Sequence, residues 1–198
     1  MQLFRILIVL VVLVTTALSV GAANLLTNGS FESKNMKGWT TWKSNWTTGE
    51  HFVVQKTDKK TGGYAAKFNC VQGSFGLYQQ VKVTPGERYK VTGDWKGSYS
   101  RDNNWFEVIL IDGAFSVDEA DTVTVCEKNF ISAYDPATFK NNRFGWESIS
   151  AGYRTTPYIK NGERTATGNV MTLVIKTGGF GNPHVVFDNL SLEVVSKP

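Results

Sequence analysis

Short runs in which apolar and polar residues alternate, separated by turns rich in Gly, Pro and Asn, recur from Asn24 to Val195. That period is the mark of half-buried strands. The first run, Asn24–Glu32 (NLLTNGSFE), reads as a short apolar strand and a turn at Asn28-Gly29, with Leu25, Leu26 and Phe31 able to face a core. Asn-Gly supplies the positive φ that a tight turn needs. HFVVQKT (from His51) and YAAKFNCV (from Tyr64) read as strands, with the turn DKKTGG between them. Phe75–Val83 and Arg88–Trp95 flank Thr84-Pro85-Gly86-Glu87, whose Pro-Gly pair favours a type II turn, and the pattern predicts a hairpin. WFEVILI (Trp105–Ile111) is apolar on both parities, as a central strand is. NVMTLVIKTGG and HVVFDNLSLEVV close the chain as two strands joined by GGFGNP. Asp112–Thr167 holds no sustained period; it predicts a short strand at Thr122–Cys126 and a helical turn at Pro136–Lys140. A stretch so long without regular structure is more often functional than idle. The sum is about nine or ten strands with little helix, no internal repeat and no linker, hence one all-β jelly-roll sandwich of two antiparallel sheets.

The start of the chain is different. Arg5 precedes a continuous apolar run, Ile6–Val14, and Gly21-Ala22-Ala23 offers small residues for cleavage. This is the layout of a secretory signal peptide, and the run is shorter than the roughly 20 apolar residues that span a bilayer. Residues 1–23 are therefore expected to be removed, leaving residues 24–198, 175 of the 198, as a single domain. The mature protein is expected outside the cell, at the cell surface or in a periplasm, with no membrane contact after cleavage and as a monomer.

Charge narrows the partners little. The formal net charge of +4 falls to +3 when Arg5 leaves, and no Lys/Arg run exceeds two. A polybasic stripe is absent, so no nucleic-acid partner is expected. Cys70 and Cys126 both lie in the exported part, where a disulfide is permitted. The expectation is a Cys70–Cys126 bridge, worth about 4 kcal/mol in the chain-entropy account; two buried thiols are the alternative.

Chemistry by histidine has little to stand on, because only His51 and His184 occur and no G-x-S-x-G elbow accompanies them. Zinc-type Cys/His spacing is missing, and the glycine-rich GGFGNP joins two strands where phosphate loops lead into a helix. Glu107, Asp112, Asp118, Glu119, Asp121 and Glu147 supply carboxylates of the kind a glycosidase pairs across a bond. Acidic residues in turns are common, however, and an enzyme (glycoside hydrolase or polysaccharide lyase) ranks third among the functions considered.

The aromatic load is what asks for explanation: six Trp, seven Tyr and twelve Phe. Trp39 is expected in the core, while Trp42 and Trp46, interleaved with Thr, Lys, Ser and Asn, suit a partly exposed edge or loop. A sugar ring presents C–H bonds to an aromatic face and needs polar partners for its hydroxyls. Trp95, Tyr99, Trp105, Glu107 and Trp146 stand among Asp, Asn, Arg and Gly and are the candidate sugar-binding residues.

NLLTNGSFE followed by GW, TGGYAAKF, LYQQVKVTPGERYKV and VFDNLSLEV, in that order, resembles the CenC-like carbohydrate-binding modules of families four, nine and twenty-two. These are galactose-binding-like jelly rolls. The likeness covers both ends and the first half of the mature chain and departs from Asp112 to Thr167. It implies a polysaccharide or glycan ligand in a cleft on one sheet, and a structural calcium ion away from that cleft. Glu32 and Asp188 would be its carboxylate ligands, with Lys60 and Gly63 contributing carbonyl oxygens. The sequence thus points to a secreted, non-catalytic polysaccharide-binding protein. A structural or adhesive surface protein on the same fold is the second reading.

Overall fold

The structure, a computed structural model, describes residues 23–57, 59–98, 104–115, 129–132, 147–148, 162–180 and 184–195. Every regular element among them is a strand: β1 (Thr40–Lys43), β2 (His51–Gln55), β3 (Ala65–Asn69), β4 (Gln72–Lys82), β5 (Arg88–Ser98), β6 (Asn104–Asp112), β7 (Asn129–Ser132), β8 (Glu147–Ser148), β9 (Glu163–Thr165), β10 (Val170–Phe180) and β11 (His184–Val194). They form two antiparallel sheets. One runs β1-β4-β10-β6-β7; the other runs β2-β3-β11-β5-β8, with β9 also on β5. Among the described residues no helix is long and apolar enough to cross a membrane.

Alternation decides which side chains meet between the sheets. Phe75, Leu77 and Val81 of β4, Val108 and Leu110 of β6, and Met171, Leu173 and Ile175 of β10 face Ala66 and Phe68 of β3, Tyr89, Val91 and Trp95 of β5, and Val185, Phe187 and Leu192 of β11. Burying a large apolar side chain of this kind stabilises by about 1.5–3 kcal/mol. Phe68 and Phe187 meet at 5.4 Å across neighbouring strands, and Phe52 packs at the same distance against both Phe68 and Phe75.

One expectation fails instructively. β4 and β5 are not a hairpin, because they lie in opposite sheets. The turn itself forms, with Glu87 N–H donating to the Thr84 carbonyl at 3.2 Å and Gly86 at φ 83°. It carries the chain over the top of the sandwich. Both strands turn one apolar parity to the same core from opposite sides, and alternation alone specifies a face but never a partner. The central placement of β6 is as expected: it sits between β10 and β7. The features expected at Thr122–Cys126 and Pro136–Lys140 lie outside the described residues.

The opening segment is no strand, yet it runs along the last one. Leu25 N–H donates to the Leu192 carbonyl and Leu190 N–H to the Gly29 carbonyl, both at 2.9 Å. The Asn24 side chain bridges further, giving its amide to Leu190 O and accepting from Leu192 N–H. Asn28 takes the positive φ expected of it, 56°, and Phe31, at φ 57° and fully buried, stacks on Trp39 at 5.9 Å. The segment from Asn24 to Gly29 and the strand β11 are thereby fixed side by side.

Candidate functional site

The five-stranded sheet has a second face, turned away from the core. Register places its residues in rows. Trp42, Gly76, Lys176 and position 107 form one; Thr40, Tyr78, Val174 and Ile109 the next; Ser74, Gly178 and position 105 a third; Gln80, Thr172 and Ile111 a fourth. On this face Trp42, Ile109, Ile111, Phe115 and Val174 make a separate apolar cluster with Tyr78 against it. Phe115 meets Tyr78 at 4.9 Å and Trp42 at 6.2 Å, both edge-on. Gly76 makes room for the Trp42 indole: a Cβ there would stand 2.9 Å from Nε1 and collide with the Ile175 carbonyl.

Polar groups interrupt this apolar floor. Lys176 is buried at mid-strand, with Nζ 5.7 Å from the Trp42 ring centroid, a cation–π distance. Trp42 Nε1 and Ser74 Oγ are both buried and have no hydrogen-bond partner in the structure. A buried polar atom left unpaired costs about 1–3 kcal/mol, so both atoms are a local expense of packing the indole and the strand so closely.

At the end of the same sheet two large rings are open to solvent. Trp46 is 42% and Phe180 58% exposed, with ring centroids 5.5 Å apart and planes at 40°. The Trp46 loop is held firmly. Ser44 N–H donates to the Ser74 carbonyl, Thr47 Oγ1 donates to that same carbonyl and accepts from Ser74 N–H, and Thr48 N–H donates to Gln72 O. Gly73, at φ 131°, lets Thr47 lie directly against the strand.

The carboxylates singled out from the sequence do come together, at the other face of the fold. Asp188 Oδ2 accepts from the Lys60 and Thr61 amides at 2.9 and 3.1 Å, and Glu32 Oε1 from the Gly63 and Tyr64 amides at 2.8 and 3.1 Å. Gly62 takes φ 59°, and a Cβ there would collide with the Glu32 carboxylate, while one at Gly63 would stand 3.1 Å from it. Burial pushes the Asp188 carboxyl above its ordinary range; amide bonds from Thr61, Lys60 and Asn189 hold it down, and the nearby charge of Glu32 adds to the rise. The groups of Lys60 and Gly63 that face the carboxylates are amides, where carbonyls were expected. Among the described residues no set of three or more His, Cys, Asp or Glu converges, so a metal here would complete its shell with carbonyl oxygens or water.

The other expected site residues fare unevenly. Trp95 is a core residue, 5% exposed between the sheets, and cannot offer a face to a ligand. Its parity on β5 is that of Tyr89 and Val91, which also point inward. Positions 105 and 107 fall on rows of the outer face, while the side chains of Trp105 and Glu107, and Tyr99 and Trp146 entirely, lie outside what is described. Cys70 is a buried free thiol, pushed up to about 11 by burial and by the charge of Glu50; Cys126 lies outside the described residues. Such a thiol is unreactive at neutral pH. A thiol reagent is therefore expected to spare Cys70 in the native protein and to label it after unfolding without reductant. Absence of labelling after unfolding would show it bridged.

No protein-family model matches the sequence, and no curated protein does either. Solved structures do. A family 61 carbohydrate-binding module in complex with β-1,4-galactotriose aligns with a TM-score of 0.55 at 14% identity, over 88% of this chain and 100% of its own. A structure of carbohydrate-binding modules of the β-sandwich superfamily, described for promiscuous specificity, aligns at 0.51 and 12% identity over 88% of this chain and 63% of its own. The enzymatically active domain of tailspike protein 4 of bacteriophage CBA120 aligns at 0.54 and 10% identity, over 87% of this chain but 21% of that one. The chain has the β-sandwich fold of carbohydrate-binding modules.

Proposed function

We propose that this is a secreted, non-catalytic protein that binds a polysaccharide chain on the outer face of the five-stranded sheet. The observation that carries the proposal is the pair of exposed rings, Trp46 and Phe180, at the end of a sheet face whose rows also present exposed Thr40 and Gln80 and half-buried Tyr78. Sugar rings stack on the two exposed rings through their C–H faces, and hydroxyls pair with the exposed polar side chains. The likeness of fold to modules that hold galactotriose supports the ligand class without naming the sugar.

A non-catalytic role agrees with the acidic residues described. Asp112 is tied to Thr167 through its amide and hydroxyl, Asp94 accepts from Asn189, and Glu163 pairs with Arg88. Each has a structural partner. A calcium ion shared by Glu32 and Asp188 is part of the proposal and acts on stability.

The test is titration of the mature chain with soluble oligosaccharides, including β-1,4-galactotriose, followed by tryptophan fluorescence. Trp46→Ala and Phe180→Ala are each expected to weaken binding about tenfold, from roughly 1–1.5 kcal/mol of lost stacking, with the melting temperature nearly unchanged. Unchanged affinity in both variants would remove the platform. No binding to any glycan across an array would favour the adhesive reading, for which the exposed Trp46, Val71 and Phe180 are the contact residues.

A further inference from the structure

The sandwich opens on one side. β1 is the edge of the first sheet and β2 the edge of the second, and residues 44–50 carry the chain from one to the other. Between these edges lies a cleft of about 540 Å³ lined by Thr41, Trp42, Lys43, Glu50 and Phe52. Its volume falls within the range of sites that hold small ligands.

The lining has a definite chemistry. Phe52 is half-buried and braced by Phe68 and Phe75, so its ring is a rigid wall. At the mouth Lys43 Nζ and the Glu50 carboxylate form an ion pair, which holds Glu50 ionised below its ordinary range. The pair is partly exposed, 56% and 24%, so its outer lone pairs and protons are open to a visitor. Thr41 adds an exposed hydroxyl. Donor, acceptor and hydroxyl stand around an apolar wall, and the two charges cancel.

We infer that this lateral cleft is a second saccharide site, holding one or two neutral sugar units by contact with Phe52 and hydroxyl bonds to Thr41, Lys43 and Glu50. It rests on the saccharide-binding reading and meets the sheet face only at Trp42, which lines both. Cancelled charge at the mouth disfavours acidic ligands, which would meet Glu50 as closely as Lys43. A peptide added as an extra strand is disfavoured as well. β1 and β2 span only four and five residues, and Lys43 sits on the edge, both of which blunt strand addition. A neutral polyol with one apolar face fits what remains. Two sites on one small domain would raise retention on a polymer through effective concentration, since the second contact becomes intramolecular.

The experiment is amide NMR shift mapping of the mature chain with D-galactose, D-glucose, D-xylose and β-1,4-galactotriose. Saturable shifts are expected at Thr41, Lys43, Glu50 and Phe52, at millimolar concentration, and they should persist in Trp46→Ala. Thr41→Trp, which fills the cleft from an exposed position, should abolish them while leaving shifts around Phe180 in place. Glu50→Gln, which keeps the shape and breaks the ion pair, should weaken them several-fold, and serves as the readout if the tryptophan is not accommodated. Shifts confined to the Trp46–Phe180 end would overturn the second site and leave the proposed function standing. Shifts at neither place, with every sugar, would overturn both.

Discussion

Trp95→Ala is expected to lose about 3–5 kcal/mol of stability, the usual cost of deleting a large aromatic from a packed core. For a domain of this size that lowers the melting temperature by roughly 6–20 °C. Trp95 is 5% exposed and belongs to the cluster that joins the two sheets. Removing it leaves a cavity between the two sheets that cannot collapse without breaking their ladders. Thermal unfolding followed by far-UV circular dichroism measures the effect directly. Sugar affinity of whatever fraction remains folded should be near that of the wild type. A variant that folds as well as wild type and loses sugar binding would return Trp95 to the ligand site. The contrast with Trp46→Ala is the sharper half of the prediction: the same residue type, 42% exposed, should cost affinity and hardly any stability.

The sequence carried enough to place Trp95 correctly. Tyr89, Val91 and Trp95 share one parity of β5, and the first two could face nothing but a core. Polar neighbours in the chain, which suggested a ligand setting, point the opposite way on a strand and say little about the residue between them. Most strands were legible from their apolar runs and flanking turns, since β2, β3, β10 and β11 fall where those runs lie, β10 being buried on both parities. Their assignment to sheets was not. β4 and β5 are joined by a turn that a hairpin would use, and only three-dimensional packing reveals that the turn spans two sheets.

Trp46 and Phe180 were out of reach for another reason. Trp46 is presented by a loop whose shape comes from hydrogen bonds to Ser74 and Gln72, contacts between residues about thirty positions apart. No local pattern encodes them. Lys176 did leave a trace, as a lone charge inside a two-sided apolar strand, a position where lysine is rarely found without a purpose. The carboxylate clamp was the most legible feature. Asn-Gly at 28–29, the paired glycines at 62–63 and the two acids at 32 and 188 each have a steric or electrostatic reason to be where they are.

Calcium at that clamp is expected to raise the melting temperature by about 5–10 °C. A ligand present at 100 times its dissociation constant adds about 2.7 kcal/mol to the stability of the folded state, and each kcal/mol moves a domain of this size by roughly 2–4 °C. The metal-free protein sets the opposite trend with pH. The folded-state pKa of Asp188 lies above that of an ordinary aspartate, so its contribution is fully present below the ordinary carboxylate range and is lost as pH rises through the folded pKa. In chelator, the Asp188 contribution therefore weakens between acid and neutral pH. Calcium favours the ionised carboxylates, so the stabilisation it gives grows over the same interval and vanishes in acid. Asp188→Ala should abolish the difference between chelator and calcium. It also strands the Lys60 and Thr61 amides, which costs about 1–3 kcal/mol in either condition. Differential scanning calorimetry at pH 4, 5.5 and 7, with millimolar calcium or chelator, separates these effects. Identical melting curves for the wild type in calcium and in chelator at pH 7 would show that the loop amides alone neutralise Glu32 and Asp188 and that the site holds no metal.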